Sequence, residues 1–132
     1  MIASYELLIR EHHLDSYGHV NNATYLNLFE EARWEISTQR GYGYQKVHDS
    51  GFGPVILEVQ MKFLKELKLR EKIQITLELV SQQGKITQLF QKMIKENGDV
   101  ACELKLVAGF FNLRERRLVL PNDDWKTVLG LT

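Results

Sequence analysis

Between residues 57 and 110 the chain repeatedly alternates apolar and polar side chains with a period of two, and this constrains the fold more than any other feature. Leu57, Val59, Met61 and Phe63 alternate with Glu58, Gln60 and Lys62; Ile73, Ile75, Leu77 and Leu79 alternate with Gln74, Thr76 and Glu78. Ser81-Gln82-Gln83-Gly84 marks a turn into a fainter strand from Ile86 to Lys95. Asn97-Gly98, two residues that tolerate positive φ, then lead into Val100, Cys102, Leu104, Leu106, Ala108 and Phe110, which fall mostly on alternate positions. Strands joined by short turns leave no room for crossover helices, so the expected sheet is largely antiparallel.

Ahead of these strands the period changes. Tyr5, Leu7 and Ile9 suggest a short first strand, and a polar loop from about Glu11 to Asn22 follows it. Tyr25, Leu28, Phe29, Ala32 and Ile36 then recur at spacings of three and four, which places them on one face of a long helix. Asn21 or Asn22 can cap its start, because an asparagine oxygen accepts from first-turn amides, and Gly41 and Gly43 suit its end. A connecting stretch rich in glycine and aromatic residues separates this helix from the strands, and residues 121–129 suggest a short closing helix. The predicted class is α+β, with an antiparallel sheet around one long helix, in a single domain spanning residues 1–132.

Charge narrows the function. Seventeen basic side chains balance seventeen acidic ones, so no net field draws in nucleic acid, and an anionic ligand must be held by local charges. The single cysteine, Cys102, falls on the apolar side of its strand and reads as a core thiol. The first residues show no targeting segment and no membrane span, because Glu6 interrupts the apolar run; a cytoplasmic location is the expectation.

Asp15, Gly18, His19, Asn21, Asn22 and Tyr25 gather within eleven residues just before the helical stripe. Unpaired first-turn amides and the positive end of a helix dipole favour an oxyanion such as forms when a thioester carbonyl is attacked. A carboxylate beside them completes a hydrolytic site, since Asp15 can attack the carbonyl carbon or deprotonate a water. No metal is needed. His12, His13, His19 and Asp15 make a poor metal set, because adjacent residues in extended chain point to opposite faces.

The stretch Asp15-Ser16-Tyr17-Gly18-His19-Val20-Asn21-Asn22-Ala23-Thr24-Tyr25 resembles the active-site signature of hotdog-fold thioesterases, the 4-hydroxybenzoyl-CoA thioesterase and YbgC-like acyl-CoA group. Leu26 to Arg33 resembles the continuing central helix of that group, and the element order matches the hotdog fold, although pattern alone leaves other α+β layouts open. The resemblance implies hydrolysis of acyl-CoA to acid and CoA with no cofactor, in a site at the interface of a homodimer or homotetramer. It assigns Asp15 as nucleophile or general base and a backbone amide near Asn22 as the donor that polarises the carbonyl. Plant and bacterial acyl-ACP thioesterases share His-Val-Asn-Asn-x-x-Tyr, and their pattern implies a catalytic or positioning role for His19 and a functional glutamate near Glu66. Tyr17 stands where that pattern prefers asparagine, which favours the acyl-CoA branch.

Each residue also has a plainer reading. Asp15 can brace its own loop, His19 can be a hydrogen-bonding residue, Asn21 and Asn22 can act only as caps, and Tyr25 can simply pack on the helix stripe. Lys62, Lys65, Lys68, Arg70, Arg114, Arg116 and Arg117 read mainly as solvated charges, a few of them available to CoA phosphates. The rival functions are a non-catalytic acyl-thioester-binding module, an acyl-ACP thioesterase, and a dehydratase whose expected loop arrangement is missing here.

Overall fold

The structure is a computed structural model that describes residues 2–131, so the terminal positions 1 and 132 of the expected domain lie outside it. Strand β1 (Ile2–Leu8) leads through a short 3₁₀ turn at Glu11–His13 to helix α1 (Asn22–Gln39). Helix α2 (Tyr44–Ser50) precedes strands β2 (Phe52–Phe63), β3 (Lys72–Gln83), β4 (Ile86–Lys95), β5 (Val100–Asn112) and β6 (Arg117–Val119), and helix α3 (Asp123–Val128) follows them. The sheet order is β1-β3-β4-β5-β2, every pairing is antiparallel, and β6 pairs with β5.

Helix α1 buries Tyr25, Leu28, Phe29, Ala32 and Ile36, the five residues expected from spacing, and also Ser37. Asn21 is the cap, its side chain accepting from the Ala23 amide at 2.9 Å. The stripe packs on the sheet face that carries Ile73, Ile75, Met93, Leu104, Leu106 and Phe110, all nearly inaccessible to water. Burying a large aliphatic side chain contributes about 1.5–3 kcal/mol, so this helix-on-sheet layer is the main source of stability. The antiparallel sheet around one long helix is the expected hotdog arrangement.

Two elements depart from the sequence reading. The connecting stretch contains α2, which has no buried residue and begins at Gly43 without a side-chain cap, so neither a stripe nor a capping residue announces it. Strand β6 takes the place beside Phe110–Asn112 beyond the start of β4, which pairs with β5 only as far as Gly109.

Strand β2 forms where expected, and Met61 packs against the core, yet several of its other apolar side chains stay open. Leu57 is 47%, Val59 43% and Phe63 51% exposed on this strand at the edge of the sheet. A register shift between Ile56 and Glu58 twists the strand and leaves Ile56 exposed as well.

Candidate active site at the start of the central helix

The loop before α1 is a closed turn. Leu14 and Val20 form an isolated antiparallel bridge, the Asp15 amide donates to the His19 carbonyl at 2.8 Å, and the Gly18 amide donates to the Asp15 carbonyl at 3.1 Å. Gly18 has φ +79, a left-handed conformation that costs glycine little. Oδ1 of Asp15 accepts from the Tyr17 amide at 2.9 Å and the His19 amide at 3.3 Å. One carboxylate oxygen therefore braces the loop, as the plainer reading holds, while among the described residues Oδ2 has no hydrogen-bond partner.

Four of the five predicted site residues line one open cleft. His19, Asn22, Tyr25 and Glu66 surround it together with Val20, Phe63, Leu64 and Lys65. Asp15 is not part of the lining; it is tied to the cleft residue His19 by two hydrogen bonds, its amide donating to the His19 carbonyl and its Oδ1 accepting from the His19 amide. His19 Nε2 lies 3.0 Å from Glu66 Oε1 within the same chain, so Glu66 meets His19 and not Asp15. Both side chains are more than half exposed, so the pair contributes little to folding. Its effect is geometric: if Nε2–H donates to Glu66, the neutral ring keeps its lone pair on Nδ1.

The far wall fixes Glu66 from behind. The Leu64 and Lys65 amides both donate to the Ala101 carbonyl, Leu67 is fully buried, and Lys95 Nζ donates to the Glu66 carbonyl at 2.9 Å while pairing with Glu71 at 3.1 Å. Tyr25 is buried and meets the edge of the Phe63 ring at a centroid distance of 5.1 Å. Burial pushes its phenol pKa up, so it stays neutral.

The Asn22 amide opens α1, and among the described residues no acceptor engages it. It carries the positive end of an 18-residue helix. The site thus has a free amide, a carboxylate with one free oxygen and an imidazole oriented by a second carboxylate. Among the described residues no three His, Cys, Asp or Glu side chains converge as metal ligands; His12 is exposed, whereas His13 is buried with Nδ1 accepting from the Arg10 amide. Among the described residues no helix is long and apolar enough to cross a membrane.

Sequence reading missed Phe63 and Leu64 as cleft residues. Their place immediately before Lys65 and Glu66, at the end of a strand, was the available signal.

Residues 9–129 match the thioesterase-like superfamily. The chain belongs to that family. It is 28% identical over 114 residues to the long-chain acyl-CoA thioesterase FadM of Escherichia coli (strain K12), an alignment that covers 85% of each chain. Over 67 residues it is 39% identical to a chloroplastic acyl-acyl carrier protein thioesterase, ATL3, of Arabidopsis thaliana, which covers 51% of this chain and 35% of that one. The fold matches protein SAV2348 of Staphylococcus aureus, solved in complex with CoA, with TM-score 0.90 and 19% identity over 98% of this chain and 82% of that one.

Proposed function

We propose that this thioesterase-family chain hydrolyses acyl-CoA to a free carboxylic acid and CoA. The observation that carries this reading is the unengaged Asn22 amide at the mouth of the cleft shared by His19 and Glu66. In this mechanism the thioester carbonyl oxygen lies against that amide, which stabilises the oxyanion as the carbonyl carbon is attacked. Asp15 is the nucleophile or the general base; in the second case its free Oδ2 takes a proton from water, whose oxygen adds to the carbonyl carbon as the carbon–sulfur bond breaks. His19 is the second catalytic group: its Nδ1 lone pair takes over the proton that Asp15 removed from water and delivers it to the departing CoA thiolate, leaving Asp15 ionised and the imidazole neutral again. Asn22, Tyr25 and Glu66 hold the substrate and the imidazole. The breadth of the likeness to FadM supports CoA as the carrier.

A panel of acyl-CoA thioesters, followed by thiol release, tests the reading. Asp15→Asn keeps the side-chain volume but removes the anion, and turnover should fall by about 100-fold or more with the fold intact. Near-unchanged turnover on a substrate that the unaltered protein cleaves would overturn it. Saturable acyl-CoA binding without thiol release by the unaltered protein would instead identify a binding module.

The stretch of 39% identity to the ATL3 enzyme favours a second reading, in which the acyl group arrives on acyl carrier protein. Competing equal concentrations of one acyl group on the two carriers separates the readings. The open β2 edge supports a homodimer, in which two such strands pair and cover each other's apolar side chains, with a tetramer as the further step.

A further inference from the structure

A second hollow lies between the second half of α1 and the sheet, and it shares no lining residue with the Asn22 cleft. Its volume is about 150 Å³. An apolar cavity of about this size holds one aromatic ring. Leu77, Leu79 and Leu89 form its sheet wall, and the chain's two tryptophans, Trp34 on α1 and Trp125 on α3, also line it.

Arg33 sits on this wall with spare donors. Arg33 Nη1 donates to Gln91 Oε1 at 2.9 Å, and Gln91, wholly inaccessible to water, donates in turn to the Phe29 carbonyl at 3.2 Å. A guanidinium has five N–H donors, and among the described residues Arg33 has no other hydrogen bond and no carboxylate within ion-pair distance. Glu30, one turn earlier, acts on it electrostatically without forming an ion pair. Arg40 also lines the cavity, held by the Val128 carbonyl at 2.6 Å, so two cations face one anion there. Burial works against the charge on Arg33, but arginine remains protonated at any physiological pH, so the cost stands until an anion offsets it.

We propose that this cavity binds a small carboxylic acid, its ring or short chain among the leucines and its carboxylate on the free face of Arg33. A planar carboxylate matches the guanidinium fork, and the apolar wall excludes a bare inorganic ion. This ligand class includes acids of the kind released by the proposed hydrolysis, but binding requires neither Asp15 nor turnover.

The two tryptophans report occupancy directly. Titrating the full chain with benzoate should change its tryptophan fluorescence saturably, and the Asp15→Asn protein should give the same curve even if hydrolysis is disproved. Benzamide, equal in shape and uncharged, should bind more weakly. Arg33→Met should weaken benzoate about tenfold or more and leave benzamide unchanged. If Arg33→Met does not fold, Leu79→Phe, which fills the cavity and keeps the arginine, should abolish the response to both probes. Three results would overturn the proposal: no saturable change with benzoate, equal binding of benzoate and benzamide, or benzoate binding unaltered by Arg33→Met or Leu79→Phe.

Discussion

His19 Nε2 and a carboxylate oxygen of Glu66 lie 3.0 Å apart across the cleft, bringing the start of the central helix against the segment that follows β2. In the proposed mechanism Glu66 acts through His19, so the two should behave as a unit. His19→Ala should reduce kcat by about 100-fold, Glu66→Gln should reduce it about tenfold, and the double variant should be no slower than His19→Ala alone. Steady-state rates of the four proteins on one acyl-CoA decide this. Losses that multiply in the double variant would mean that the residues act independently.

The uncovered apolar edge of β2 predicts association. Sedimentation velocity should give twice the chain mass, and Val59→Lys, placed on an exposed strand position that is 43% accessible, should shift the protein to monomer with its helical signal intact. An unchanged mass would place the interface elsewhere.

What the sequence could reveal follows from which face each residue serves. The α1 stripe was readable because all five of its apolar residues enter the core. Strand β4 was faint because two of its inward positions are polar: Thr87 and Gln91 are buried, their groups satisfied by Gln82 and by Phe29 with Arg33. Phe29 and Arg33 are distant in sequence, and Gln82, read from sequence as part of a turn, in fact extends β3 and pairs with Thr87, so alternation alone undervalues the strand. In the site, the loop and cap are local and readable from Asp15 to Tyr25. The meeting of Glu66 with His19 depends on the path of β2 and on the Lys95 clamp, neither of which has a local signature.

His13 predicts an acid-sensitive fold. Its Nδ1 accepts from the Arg10 amide at 2.9 Å, which requires an unprotonated nitrogen, and burial, with the nearby His12 and Arg10 charges, holds its pKa below the ordinary value. A depressed folded value means that its share of stability is present above the unfolded pKa of about 6.5 and is lost as pH falls through the lower folded value. Thermal midpoints from pH 7.5 downward should therefore fall more steeply for the unaltered protein than for His13→Gln, which cannot titrate there. Parallel curves would show that this bond does not couple to protons.

Cys102 and Tyr5 set the alkaline limit by different means. Burial pushes the Cys102 thiol from its ordinary 9.0 up to about 12, while the hydrogen bond to Glu31 at 2.7 Å pushes the Tyr5 phenol from 10.0 up to about 12. Raised folded values reverse the sign found for His13: each contribution is complete below the group's unfolded pKa and fades as pH climbs through the folded one. Midpoints should start to fall near the unfolded thiol value. Cys102→Ala should flatten the first part of that decline, and Tyr5→Phe the part above the unfolded phenol value. A thiol reagent should leave the folded protein unlabelled at neutral pH and react once denaturant opens the core, because the thiol is wholly inaccessible. Rapid labelling of the folded chain would contradict the burial on which both the inertness and the alkaline shift rest.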